Sequence, residues 1–354
     1  MKYGIAVATS ADSWKVVQRA EELGFASAWF YDTQLLNADV FVGMAAAAMK
    51  TSRIRLGTGV LIPSNRIAPV TANALGSLNK LAPGRIDFGI GTGFTGRRTM
   101  GLKAMTLAEM KEYIRIVYAL LAEETTSWTF EGKERQIRFL NPEIDAINTK
   151  DPIPLYVSAF GPKTRRLAAA LGGAWINFAS NTRRAVTAAQ DMAAAWAEAG
   201  RPAEDLHCAA LTLGCVLEDG EPFDSPRAVA QAGPLPAAVL HDLTEQEAEK
   251  PGSARVPSSM RQSFEIYRDL YQSYRPEDAR YLTLHRGHMM FLRDDERHAI
   301  TADLMRDLTF TGTPAALREK LEMLEAAGYD QWVVQLTQGN EDAIEDWARL
   351  FGLG

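Results

Sequence analysis

The chain has 354 residues, a formal charge of -6, and is 47% hydrophobic and 23% charged, an ordinary globular composition with ample material for a core. The negative balance argues against general affinity for nucleic acid or anionic membrane, which needs concentrated basic charge, so neither is expected as a partner; a local anion site stays possible. The N-terminus "MKYGIAVATSADSW" has no apolar signal segment and no run of about 18 apolar residues follows, so a cytoplasmic location is expected.

Apolar, β-branched runs alternate with amphipathic stretches from the first residues on. A strand over 2–8 precedes a helix over 12–23, 27–32 precedes 39–50, 54–62 precedes 68–82, and 85–91 precedes 106–122. A hairpin is expected within 123–152. Strands over 153–159 and 174–179 precede helices over 162–171 and 183–199. A seventh strand covers 206–217, and an eighth, 331–336, lies between helices near 313–327 and 340–351. Nearly continuous apolar strands of this kind are parallel and buried on both faces, and their number favours a closed barrel. The predicted fold is α/β, a (β/α)8 TIM barrel forming one domain over 1–354, with a long insertion, 218–311, after the seventh strand. Barrel active sites sit at the C-terminal ends of the strands, so this insertion is expected to form a lid or substrate wall. One helix, near 260–272, is expected inside it.

Cys208 and Cys215 share one apolar stretch and read as small buried side chains. "GTGFTG" over 91–96 spells G-x-G-x-x-G, the pattern of a dinucleotide-binding turn. Its context is wrong for that role. It follows the fourth strand instead of the first, and the next helix has its own capping box at Thr106 and Glu109, with loop expected between. Two readings remain, a tight turn or a close backbone approach by Gly91 and Gly93 to a flat or anionic ligand. Arg97 and Arg98 either add charge for a phosphate or sit in solvent.

"HRGHMM" offers His285 and His288 as acid–base candidates, since an imidazole exchanges protons near neutral pH; packing is the alternative. No metal site is expected, because no carboxylate or cysteine pattern accompanies His285, His288 and His298. His207 and His241 read as structural. Met289, Met290 and Phe291 either line an apolar substrate pocket or pack in a core.

Five stretches, "AEELGFASAWFYDTQ" (20–34), "TSRIRLGTGVLIP" (51–63), "LAPGRIDFGIGTG" (81–93), "PLYVSAFGPKT" (154–164) and "GTPAALREKLEMLEAAGYDQWVVQ" (312–335), together resemble the bacterial luciferase-like superfamily of flavin- and deazaflavin-dependent oxidoreductases. "YDTQLLNADVF" (31–41) is most similar to the methylenetetrahydromethanopterin reductase branch, although Thr33 stands where that branch commonly has histidine. The resemblance implies a non-prolyl cis peptide at Gly59–Val60 supporting the flavin ring, with Asp32 and Thr33 bordering it. It implies cofactor phosphate contacts from Ser158, Gly161, Lys163 and Thr164. Thr92 and Gly93 join the cofactor rim, Thr92 replacing an arginine found in some relatives. The expected activity is a monooxygenase that takes reduced FMN from a partner NAD(P)H:flavin reductase and oxygenates a small organic substrate. The alternatives are a deazaflavin-dependent reductase or dehydrogenase, and a non-catalytic flavin-binding protein. A homodimer is expected by the same resemblance.

Overall fold

In the computed structural model, which describes residues 1–354, eight parallel strands close into a barrel. They are β1 (Lys2–Val7), β2 (Ser27–Phe30), β3 (Arg55–Thr58) and β4 (Ile86–Ile90), then, after a hairpin of β5 (Thr126–Phe130) and β6 (Lys133–Ile137), β7 (Leu155–Ser158), β8 (Ala174–Phe178), β9 (Cys208–Thr212) and β10 (Gln331–Leu336). β1 pairs with both β2 and β10, which closes the ring and leaves no free edge. The predicted barrel and hairpin are therefore both present.

The strands read as continuous apolar runs because each has two buried faces. Outward side chains join a cluster of 56 buried residues shared with the surrounding helices. Inward side chains, among them Ala6, Trp29, Ile176, Ala209, Leu211 and Val333, fill the lumen. Trp29 is fully buried there and donates through Nε1 to Ser27 Oγ at 3.1 Å. The lumen is thus a packed core, and a ligand has to bind at its mouth.

β9 ends at Thr212, short of the expected 217. The apolar residues 213–217 instead leave the barrel and pair with the returning chain: Leu213 O accepts from Phe310 N at 2.8 Å, and Leu217 N donates to Gly312 O at 2.8 Å. This two-chain neck carries the insertion, which has its own cluster of 19 buried residues. Its longer helices are Pro234–Glu249 and Arg261–Ser273, the second at the expected place. The helix Pro226–Ala232 starts where Ser225 accepts from Ala228 N and proline takes the first helical position, a start signal that the sequence does contain.

The insertion reaches across the mouth. On one side Gln335 of β10 donates through Nε2 to Met289 O, Gln338 N donates to Met290 O at 3.0 Å, and Thr337 Oγ1 donates to Ala230 O at 3.1 Å. On the other side Arg98, from the loop after β4, pairs with Asp242 at 3.0 Å and Glu245 at 2.8 Å. Cys208 and Cys215 are buried and unbridged, and burial pushes each thiol up to about 12. No helix is long and apolar enough to cross a membrane.

Candidate active site at the barrel mouth

β3 stops at Thr58, and the ladder to β4 resumes at Leu61, which bridges Ile90. The two residues between, Gly59 and Val60, are joined by a cis peptide and are both partly accessible, so the expected bulge is present. It lies against Gly91: a Cβ added there would stand 2.8 Å from Val60 Cγ2 and 3.5 Å from Ser158 Cβ. The ends of β3, β4 and β7 therefore form one shallow rim, with Tyr31, Tyr156 and Phe178 contributing apolar surface from the lumen cluster below.

Asp32 does not border an open seat. It is 4% exposed and accepts from Ile62 N at 3.0 Å, Asn65 Nδ2 at 3.2 Å and Arg66 Nη1 at 2.9 Å, so it ties down the loop after β3 from beneath. Gln34 continues the network, accepting from Asn65 Nδ2 at 2.7 Å and donating to Gly96 O at 2.6 Å. Thr33 is partly accessible beside Gly96. Asp32 is a positioning residue, the turn-holding alternative to the ring contact.

The glycine stretch differs from expectation in one respect. Gly93, at φ 76°, turns the chain directly into a single helical turn, Phe94–Arg98, before the Thr106 capping box opens the long helix Leu107–Leu121. The arginines are not free for a phosphate. Arg98 is committed to Asp242 and Glu245 and stacks on Phe94 at 3.7 Å, and Arg97 Nε donates to Lys103 O at 2.5 Å. Thr92 is partly accessible next to this turn.

β7 ends at Ser158, and the chain continues through exposed Phe160 to Gly161, which precedes the helix Pro162–Leu171 without a side-chain cap. No atom lies within 4 Å of where a Gly161 Cβ would be, so the chain faces open space there; Pro162 has no N–H and Thr164 N donates to Gly161 O at 3.1 Å, which leaves Lys163 N as the first-turn donor. Lys163 is exposed and Thr164 partly accessible in the same turn. An open helix start with a lysine and two hydroxyls suits an anionic group.

Across the mouth, three histidines come together. His285 and His288 lie in turns, not on a shared helix, with Met289 in the left-handed region at φ 61°, held by the bond from Gln335. The third is His241, read from sequence as structural. Its Nδ1 is 3.3 Å from His288 Nδ1, and its Nε2 is 2.6 Å from Glu296. His285 Nε2 is 3.1 Å from Glu245, and His288 Nε2 is 3.4 Å from Thr95 Oγ1 of the glycine stretch. His241 and His285 are buried, while His288 keeps a partly accessible surface. Burial, only partly offset by Glu296, holds His241 below its ordinary value; burial and the charges of His241, His285 and Arg98 hold His288 well below. Burial would raise Glu245, but the His285 hydrogen bond and the charges of His285 and Arg98 keep it below the usual carboxylate range. Glu245 and Glu296 were not singled out from the sequence. Neither lies in a motif, and only the folded insertion brings them to the histidines.

The other histidines lie elsewhere. His207 pairs with Asp330 at 2.6 Å at the opposite end of the barrel, and His298 is exposed. Met289 is buried in the insertion core, Met290 is partly buried, and Phe291 is 38% exposed. An open cavity of about 740 Å³ lies at the rim between β1 and β10, walled by Thr9, Leu36, Met290, Leu336 and Gln338. It does not include the glycine rim and is separate from the bulge.

Residues 7–331 match the family described as luciferase-like monooxygenase. The chain belongs to the luciferase-like family. It is 32% identical over 224 residues to a 5,10-methylenetetrahydromethanopterin reductase of Methanolobus tindarius, covering 62% of this chain and 67% of that one. It is 34% identical over 175 residues to an F420-dependent glucose-6-phosphate dehydrogenase of Kineococcus radiotolerans, covering 45% of this chain and 49% of that one. The matched stretch thus spans between half and two thirds of these curated relatives. A coenzyme F420-dependent tetrahydromethanopterin reductase from Methanopyrus kandleri superposes with a TM-score of 0.72 at 20% identity, over 98% of this chain and 97% of that one. At that identity the superposition speaks for the fold. This family member is an oxidoreductase by family, and its sequence relatives lie on the branch expected from residues 31–41.

Proposed function

We propose that the protein is a deazaflavin-dependent oxidoreductase that moves a hydride to or from a small organic substrate. The single observation carrying this reading is the sequence likeness at 32–34% identity to a methylenetetrahydromethanopterin reductase and an F420-dependent dehydrogenase. It favours the deazaflavin alternative over the FMN monooxygenase first expected, although the family description itself names monooxygenases.

The residues present fit such a cofactor. A flat ring would rest on the rim of Gly59, Val60 and Gly91, where the missing methyl groups let the bulge pack closely on Trp29 below and on Gly91 beside it. Its phosphate would be held by the Ser158 and Thr164 hydroxyls, Gly161 and the Lys163 ammonium and backbone N–H, with Thr92 and Gly93 at the near edge and Thr33 alongside. When bound, the deazaflavin supplies the two-electron chemistry, and the protein supplies orientation, polarity and exclusion of water. Asp32 fixes the bulge loop through Arg66 and Asn65. The insertion acts as a lid that walls the substrate. His288, the accessible member of the histidine group, is assigned the contact with the substrate's reacting oxygen, and His285 is a positioning residue held by Glu245.

The reading predicts that Lys163→Ala weakens deazaflavin binding about tenfold, a loss of about 1.4 kcal/mol. Fluorescence titration of the purified protein checks this. Unchanged affinity in Lys163→Ala and in a Ser158→Ala, Thr164→Ala double variant would remove the phosphate assignment.

A further inference from the structure

We propose that His241, His285 and His288 form a three-imidazole site for a divalent transition-metal ion of the zinc class. One nitrogen from each lies within 4.8 Å of the others. At Zn–N distances of about 2.0–2.1 Å, two ligands of a tetrahedral ion are about 3.3 Å apart. His241 Nδ1 and His288 Nδ1 are separated by 3.3 Å.

The outer contacts say which nitrogens are available. His241 and His285 each turn Nε2 to a carboxylate, Glu296 at 2.6 Å and Glu245 at 3.1 Å, which places the proton on Nε2 and the lone pair on Nδ1. A carboxylate behind each imidazole is the arrangement that orients and strengthens metal-bound histidines. The carboxylates are themselves fixed: Glu296 accepts from Tyr267 OH at 2.7 Å and pairs with Arg293 at 2.9 Å, and Glu245 pairs with Arg98 at 2.8 Å.

A plain hydrogen bond explains less. An N–H of His288 donated to His241 would satisfy those two δ nitrogens, at a long 3.3 Å. It leaves His285 Nδ1, buried in a residue only 3% exposed, with no partner at all. Orphaned buried polar atoms are costly, and an ion between the three rings gives all of them a partner. Imidazole donors without thiolate or ligating carboxylate select zinc-class ions over calcium or magnesium, and three histidines leave a fourth position open. The ion would join the helix Pro234–Glu249 to the 285–288 turn inside the insertion, and so fix the position of His288, whose Nε2 lies 3.4 Å from Thr95 Oγ1.

The site shares His285 and His288 with the proposed substrate contact but none of the cofactor residues, and it is tested by metal binding on the full chain. Protein stripped with a chelator and dialysed is titrated with Zn²⁺ by calorimetry, with melting temperature as a second readout. One ion per chain and a raised melting temperature are expected. Glu245→Gln, which keeps side-chain volume, should bind Zn²⁺ some 10- to 100-fold more weakly. His285→Ala should lose stoichiometric binding, and His298→Ala should bind as wild type. Absence of a stoichiometric ion in wild type, or wild-type affinity in both Glu245→Gln and His285→Ala, overturns the proposal. Deazaflavin titration of the metal-free protein reports separately on the cofactor.

Discussion

Gly91 and Gly161 carry different burdens at the mouth. A methyl group on Gly91 would press Val60, whose β-branched side chain has little rotamer freedom, at 2.8 Å. Gly91→Ala should therefore cost about 1–3 kcal/mol of stability through overpacking as well as weakening cofactor binding. Gly161 has open space around it and an ordinary φ of -97°, so Gly161→Ala should fold as stably as wild type yet bind the cofactor less well. Thermal melts paired with binding titrations separate the two; equal stability losses would contradict this division of roles. At this scale the sequence was informative where a residue type has few uses. Gly91 was singled out because close approach needs glycine, whereas Gly59 and Gly161 were reached only through the family resemblance. Asp32 was ambiguous, since the sequence does not show that Arg66 and Asn65 consume both its oxygens.

The neck of the insertion is held by a staple at its base. Glu221 pairs with Arg227, accepts from Ser225 Oγ at 2.6 Å and from Glu218 N at 2.9 Å. Burial would raise its pKa, but the Arg227 and Ser225 hydrogen bonds, with the backbone bond and the Arg227 charge, bring it down to about 2. A carboxyl depressed on folding from 4.5 contributes stability that is complete above pH 4.5 and is lost as pH falls toward 2. Glu221→Gln should thus destabilise the neck by about 1–3 kcal/mol at neutral pH, and the gap from wild type should shrink as pH falls through that window. Hydrogen exchange over residues 213–232 measures it; a gap that stays constant with pH would refute the staple. The barrel strands were legible because burial on both faces gives unbroken apolar runs. The insertion was not: only the helix near 260–272 was expected, and Pro226–Ala232 and Pro234–Glu249, which both begin on proline, were not. Likewise 213–217 looks like barrel strand because the neck pairing also buries apolar residues.

On the scale of the whole molecule, one face of a packed barrel is roofed by an insertion fixed on both sides, by the β10 end at Met289 and Met290 and by the β4 loop through Arg98. A rim of glycines, the proposed cofactor seat, and a histidine group are brought to that one mouth from stretches far apart in sequence. The family could be read from residues because it rests on local patterns, and the same patterns gave the residues proposed for the cofactor. The histidine–carboxylate cluster could not, because His241, Glu245 and Glu296 meet only through the fold. The choice between deazaflavin and FMN is likewise not written in any single motif. The decisive measurement is an anaerobic titration of the purified protein with deazaflavin F420 and, side by side, with reduced FMN, followed by an oxygen pulse. Tight, saturable binding of the deazaflavin, with no persistent oxygen adduct in the FMN sample, is the predicted result. Tight binding of reduced FMN with a long-lived oxygen adduct, and no binding of the deazaflavin, would contradict it.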